Sequence, residues 1–234
     1  MHRIIVAIGG GEIRNKTTLE IDRYIAGLGK RHARGERGYA LFFPTASHDS
    51  KPYFNSFRKT YTSEFDMKSD VALVVTGEMS RQAIVDKIQK ADLIYVGGGD
   101  TAFLIQAWQE MNLDMDIIKA YLNGVPLAGL SAGGICWFEK VYSDSDIIAG
   151  KGSGYMLLDG LGLLQGCCCP HYDERGEFDQ IVANSNATAL AIESDAAAVF
   201  VDEELVGALS SGGKVYLISP DGKGGVIKEE VPLL

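Results

Sequence analysis

Val125-Pro126-Leu127-Ala128-Gly129-Leu130-Ser131-Ala132-Gly133-Gly134-Ile135-Cys136-Trp137-Phe138-Glu139-Lys140 is the stretch on which the reading of this chain turns. A short apolar run ends in a Gly-x-Ser-x-Gly pentapeptide, Gly129 to Gly133, and the residues after it carry apolar spacing compatible with a helix. That layout predicts a strand, a sharp turn with Ser131 at its tip, and a helix. The glycines fit the chemistry: side chains two positions before and two after the serine would collide with the adjacent strand and helix, while the serine is held strained with its hydroxyl exposed. A helix beginning right after Ser131 also directs free N–H groups and the positive end of its dipole at an oxyanion forming there. The same pentapeptide is equally compatible with a tight strand-to-helix turn in any α/β protein.

Outward from this motif, strands and helices alternate. Arg3 to Ile8 is a continuous β-branched apolar run ending in Gly9-Gly10-Gly11, as expected of a strand buried on both faces. Thr17 to Leu28 has helical spacing and Gly29 suits its end. Strands are expected at Tyr39 to Phe43, Val71 to Val75 and Leu93 to Val96, with helices at Lys51 to Glu64, Arg81 to Lys90, after Thr101, and over Met115 to Leu122. This order implies a mostly parallel sheet covered on both sides, with ligands at the carboxyl ends of the strands, where the glycine-rich loops fall. Beyond the serine motif, Tyr142 to Leu164 is polar and glycine-rich, and Ser143 to Gly154 is expected to be a mobile loop. Glu177 to Asn184 reads as a helix, and the short runs from Ala189 to Ile227 as antiparallel strands or hairpins that finish the domain.

Composition bounds the function. With 234 residues and 46% hydrophobic content, one substantial core is expected, so residues 1–234 are read as a single α/β domain. There is no apolar run long enough to span a bilayer and no signal-peptide pattern, which points to the cytosol. A net charge of −9, with basic residues scattered apart from Lys30 to Arg37, disfavours nucleic-acid or anionic-membrane partners, and the basic run reads as solvated surface. Cys167, Cys168 and Cys169 are consecutive, and neighbours in a strand point to opposite faces. They cannot converge on one ion, so no metal and no cofactor is expected, and the cysteines read as reduced, mostly buried thiols.

A serine hydroxyl needs a base to take its proton. Of four histidines, His2 precedes the first strand and His32 lies in the basic run, whereas His48 and His171 follow strands on the edge that carries Ser131. The chain order Ser, acid, His selects His171 as the base and leaves His48 as a substrate contact. The acid that would accept the other ring N–H is sought among Asp144, Asp146 and Asp159, then Glu139 and Glu193. For an oxyanion hole, Ala132 supplies one N–H, and the Gly97-Gly98-Gly99 loop is suited to supply another because bare backbone approaches a substrate closely. The same loop lacks the further glycine of a dinucleotide fingerprint and the Gly-Lys-Ser/Thr of a P-loop.

Gly97-Gly98-Gly99-Asp100-Thr101, Gly129-Leu130-Ser131-Ala132-Gly133, Tyr142-Ser143-Asp144-Ser145-Asp146 and Pro170-His171-Tyr172, in that order, together with Pro44-Thr45-Ala46-Ser47, resemble the peptidase E (aspartyl dipeptidase) family of serine peptidases, related to cyanophycinase. The resemblance covers Arg3 to about Val201. It implies a three-layer α/β/α sandwich similar to class I glutamine amidotransferases, with Ser131 as nucleophile, His171 as base and Asp146 as acid by its position relative to the serine. It implies Gly99 and Ala132 as oxyanion donors. Removal of an N-terminal aspartate, the family's best-known activity, requires a cation for the substrate side chain, and Arg175 is the candidate. The stretch after His171 is shorter than the aspartyl dipeptidase pattern and partly resembles the cyanophycinase branch. The expectation is a peptidase of small peptides working through an acyl-enzyme. A cyanophycin-type or ester hydrolase on the same residues, and a binding protein whose glycine loops hold a small ligand, are the alternatives, and a homo-oligomer is left open.

Overall fold

The computed structural model describes residues 2–33 and 35–234; Arg34, within the basic run, lies outside the described residues. The apolar run at the start forms β1 (Ile4–Ile8), followed by α1 (Leu19–His32), β2 (Tyr39–Phe43), α2 (Lys51–Ser63), β3 (Lys68–Val71) and α3 (Arg81–Lys90). Next come β4 (Leu93–Val96), α4 (Thr101–Glu110), α5 (Leu113–Leu122), β5 (Leu127–Leu130) and the single turn α6 (Ala132–Ile135). The second half holds β6 (Phe138–Ser143), α7 (Ser145–Ile148), β7 (Met156–Asp159), β8 (Leu164–Cys169), α8 (Phe178–Ala183), β9 (Ala189–Ile192) and β10 (Ala196–Val201). The last strands are β11 (Glu204–Ser210), β12 (Val215–Pro220) and β13 (Val226–Glu230). Side-chain caps start three of the long helices: Ser50, Ser80 and Asp100 accept the N–H groups of Tyr53, Ala83 and Phe103.

Seven strands form the central sheet in the order β11-β10-β1-β5-β4-β2-β3. Those from β1 to β3 are parallel, and β10 and β11 add on antiparallel beside β1. Both faces are covered, as the unbroken apolar runs require. Along β1, Ile5 and Ala7 face one core, with Ile84, Leu104, Trp108 and Ile117 of α3 to α5. Val6 and Ile8 face the other, with Ile21, Ile25, Phe57 and Tyr61 of α1 and α2. The structure is thus a layered, mostly parallel α/β fold.

A second, six-stranded sheet, β13-β12-β9-β8-β6-β7, packs through Phe138, Val141, Leu164 and Leu190 into the α3 to α5 side of the core. The sequence reading does not separate this second sheet from the first, and the strand it expects at Val71 to Val75 forms earlier in the chain, as β3. The terminal strands pair antiparallel, as expected, but are shared between the sheets: β10 and β11 extend the central one, while β9, β12 and β13 join the second. Within the polar, glycine-rich stretch Tyr142 to Leu164, β7 pairs antiparallel with β6, with Val141 opposite Leu158. Of the loop Ser143 to Gly154, Ser143 and Ser145 around the start of α7 are buried and residues 147–154 are exposed. The glycines of the stretch hid β7, a strand of only four residues.

One buried charge sits between α1, α2 and the sheet. Asp22 is 1% exposed and accepts the hydroxyls of Thr18 at 2.7 Å and Tyr61 at 2.9 Å. Burial pushes its carboxyl up to about 6, the hydroxyl bonds only partly opposing this. All four cysteines are free thiols, on β8 and at the end of α6. Among the described residues no helix is long and apolar enough to cross a membrane.

Candidate active site

The turn after β5 is built as the glycines demand. Ser131 has φ 52° and ψ −118°, a conformation that L residues rarely adopt and that costs about 1–3 kcal/mol. Its N–H donates to Ile8 O at 2.8 Å, and its carbonyl accepts from Gly134 and Ile135 at 2.8 and 2.9 Å. These bonds, with β5 paired to both β1 and β4, hold the strain in place. A Cβ at Gly129 would stand 2.1 Å from Gly133 O, and one at Gly133 would stand 2.2 Å from Val96 O. The expected helix is a single turn of four residues, after which the chain reverses into β6. Four residues sum few peptide dipoles, so the local Ala132 N–H, rather than a macrodipole, is what the turn offers an anion.

His171 follows β8 and Pro170 in a left-handed conformation, φ 48°, with its N–H on Gly9 O at 3.1 Å. That places Nε2 3.0 Å from Ser131 Oγ. Nδ1 lies 3.2 Å from Ser194 Oγ, at the start of the turn between β9 and β10. Burial, and then the positive charge of Arg175, push the imidazole below its ordinary value.

The structure does not bring Asp146 to this histidine. Ser145 Oγ accepts the Ala102 N–H at 3.0 Å and pairs with Ser143 Oγ at 2.8 Å, which pins α7 against the start of α4. Asp146 therefore lines a separate cavity of about 250 Å³ with His48, Asp100, Phe103 and Lys151. Its rivals are engaged elsewhere: Asp144 with Arg175 at 3.0 Å, Asp159 with Lys140, Glu139 with the Gly166 N–H and Glu193 with the Lys214 N–H. Arg175 and His48 also lie away from the serine. Arg175 is 3% exposed, donates to Tyr142 O and Asp144, and sits 4.6 Å over the Tyr155 ring. His48 packs on Phe103, with ring centroids 4.1 Å apart.

The Gly97 to Gly99 loop does reach the serine. A Cβ at Gly98 would touch Ser131 Cβ at 3.3 Å, and one at Gly99, at φ +140°, would strike Ala46 O at 2.2 Å. The loop is tied down by Asp100 N–H on Ala46 O, by Gly98 N–H on Tyr53 OH at 3.2 Å, and by Trp108 Nε1, buried behind it, on Thr45 Oγ1. Among the described residues, the N–H groups of Gly99 and Ala132 donate to no other group of the protein.

An open cleft of about 660 Å³ leads to the pair, lined by Ser131, His171, Gly98, Tyr53, Glu12 and Arg14. Sequence reading missed Tyr53, Glu12, Arg14, Gly10 and Ser194. The first four follow or face glycine-rich strand ends on the expected edge, which is a usable signal; Ser194 carries none.

A strained serine after a central parallel strand, facing an imidazole at hydrogen-bonding distance, is the layout of a serine hydrolase. The family model for peptidase family S51 matches residues 5–207, and the chain belongs to that family. It is therefore a hydrolase of the serine peptidase class. The chain is 36% identical over 225 residues to the uncharacterized peptidase YgaJ of Bacillus subtilis (strain 168), covering 93% of this chain and 92% of that one. It is 32% identical over 96 residues to a peptidase E of Haemophilus influenzae, covering 40% and 42%. A crystal structure of a putative peptidase E from Listeria monocytogenes EGD-e has the same fold, with a TM-score of 0.64 at 20% identity over 90% of this chain and 99% of that one.

Proposed function

We propose that the protein hydrolyses small peptides through an acyl-enzyme, with Ser131 as nucleophile and His171 as general base. The observation that carries this reading is the 3.0 Å contact between Nε2 and Oγ at a serine strained into the cleft. In the first half-reaction the Ser131 O–H bond breaks as Oγ joins the scissile carbonyl carbon, and the proton passes to Nε2. The carbonyl oxygen becomes anionic and is received by the Gly99 and Ala132 N–H groups. Nε2–H then protonates the leaving amine as the C–N bond breaks, and water reverses the sequence.

The cation for an acidic substrate is Arg14 rather than the buried Arg175. Arg14, with Asn55 and Ser56, is shared between the cleft and an adjoining basin of about 240 Å³ that also meets Lys16 and Lys59. This basin supports a substrate with a negative group close to the scissile bond. The proposed setting is the cytosol, in keeping with the free thiols.

Hydrolysis of Asp-Leu, Glu-Leu, Ala-Leu, Leu-Leu and β-Asp-Leu by the wild type, Ser131→Ala, His171→Ala and Arg14→Gln tests the reading. Cleavage is expected to vanish in the first two variants, and Arg14→Gln is expected to raise KM about tenfold for acidic dipeptides only. Activity surviving Ser131→Ala would remove the nucleophile, and inactivity on every peptide would remove the substrate class.

A further inference from the structure

We propose that Ser194 is the positioning residue of this site: its hydroxyl faces His171 Nδ1 in the place where a carboxylate was sought, so that a neutral oxygen orients a Ser131–His171 dyad. The inference rests on the reading of Ser131 and His171 given above and concerns what holds the base.

The two ring nitrogens of His171 each meet one serine, Nε2 with Ser131 at 3.0 Å and Nδ1 with Ser194 at 3.2 Å. Only one tautomer serves catalysis. With the proton on Nδ1, donated to Ser194 Oγ, Nε2 is bare and accepts the Ser131 hydroxyl; the opposite tautomer would point an N–H at the nucleophile. A hydroxyl could also donate to a bare Nδ1, so the chemistry of the dyad requires Ser194 to act as acceptor.

Ser194 is itself fixed through its backbone. Its N–H donates to Asp173 Oδ1 at 2.7 Å, and Gly10 forms an isolated parallel bridge with it, reinforced by the Asp195 N–H on Gly10 O at 3.0 Å. A Cβ at Gly10 would meet His171 Nδ1 and Cε1 at 2.4 Å and Ser194 Oγ at 2.8 Å, so the strand-end glycine backs the ring and the hydroxyl together. Asp173, two residues after the histidine, directs Oδ1 at the Ser194 amide rather than at the imidazole. Ser194 thus has the fixed placement of an orienting acid and lacks only the charge.

That missing charge has a chemical cost. When the imidazolium forms, the groups that act on it are Arg175, which opposes it, and the carboxylates of Glu174, Asp144 and Asp173, which favour it; Glu12 and Arg14 line the cleft beyond. A hydroxyl dipole at Nδ1 stabilises the cation less than an adjacent anion would. The base therefore remains neutral at lower pH and takes the nucleophile's proton less readily.

The experiment compares Ser194→Ala, Ser194→Thr and Ser194→Asp in two readouts. The first is the pH profile of dipeptide hydrolysis. Ser194→Ala is expected to lower kcat on the order of tenfold with KM little changed, Ser194→Thr to restore most of it, and Ser194→Asp to move the acid limb up by about one pH unit. The second is NMR titration of the His171 ring in a Ser131→Ala background, which needs no activity. There the Nδ1–H tautomer is expected when Ser194 is intact, and an equilibrating mixture when Ser194→Ala is added. Identical kcat and identical ring titration in the wild type and Ser194→Ala would overturn the proposal, as would equal losses in Ser194→Thr and Ser194→Ala. Activity that survives Ser131→Ala would instead sink the nucleophile, while the titration would still decide what holds the ring.

Discussion

Gly10 backs the imidazole of His171 so closely that one added carbon would stand 2.4 Å from Nδ1 and Cε1. The ring is thereby sandwiched between a strand-end loop and the cleft, and its tilt toward Ser131 depends on a missing side chain. Gly10→Ala should push the ring off the serine, lowering kcat on the order of a hundredfold, since a displacement of about 1 Å suffices for that. Kinetics with a matched thermal melt would check it. Full activity would mean that the ring has room the structure does not show.

The elbow glycines make a prediction about folding rather than rate. Gly133 lies over β4, where a Cβ would meet Val96 O at 2.2 Å and Gly97 O at 2.8 Å. Both contacts are backbone and cannot swing aside. Gly133→Ala should cost at least about 2–3 kcal/mol in denaturant unfolding, more than Gly154→Ala, whose Cβ would meet nothing within 4 Å.

Asp22 makes stability depend on pH. Its carboxyl is raised to about 6 in the folded chain, so folding favours the protonated form. That contribution is fully present below about pH 4, the unfolded value, and is lost as pH rises through 6. Two pH units correspond to about 3 kcal/mol. Asp22→Asn removes the titration, and the variant should gain on the wild type by about 2–3 kcal/mol between pH 4 and pH 7 in urea unfolding. Parallel curves would show that Asp22 is not proton-linked to folding.

His171 titrates below its ordinary 6.5, chiefly through burial and then through Arg175. The acid limb of kcat/KM should accordingly have its midpoint below pH 6.5. Asp144 is among the carboxylates that pull the value back up, so Asp144→Asn should move that midpoint further down. It also leaves the buried Arg175 without its ion pair, with a stability loss of about 1–2 kcal/mol, discounted because Asp144 is 32% exposed. A midpoint moving upward would reverse the assigned electrostatics.

Local patterning made much of this structure legible. The bounds of β2, α3 and β4 coincide with the expected ones because apolar periodicity, serine caps and glycine stops agree there. Ser131, Gly99 and Ala132 lie together because the parallel central sheet sends the carboxyl ends of β4 and β5 to one edge. His171 comes instead from β8 of the second sheet and was picked out by chain order. The neighbour of Nδ1 was not. Chain order leaves several carboxylates open and the family resemblance points to Asp146, but Ser145 ties that turn to Ala102 at the start of α4. Ser194 arrives at the site because β9 and β10 belong to different sheets and their connection passes under the histidine. Pairing over such separations leaves no local signature. Arg175 is readable in sequence as a substrate cation or as a surface partner of Asp173 or Glu174; the structure buries it instead against Tyr155 and pairs it with Asp144.

The position of β1 between β5 and β10 has a consequence for the chain as it is made. The first strand synthesised waits for partners from the middle and late parts of the sequence, with Ile4 opposite Val201 across the sheet. Long-range closures of this kind are the slow steps of folding. A growing chain that has already exposed Ser131 to the cell still lacks the strand that fixes Gly10 and the turn that carries Ser194. The arrangement around His171, with Gly10 and Ser194 both against its ring, is therefore complete only when the turn between β9 and β10 is in place.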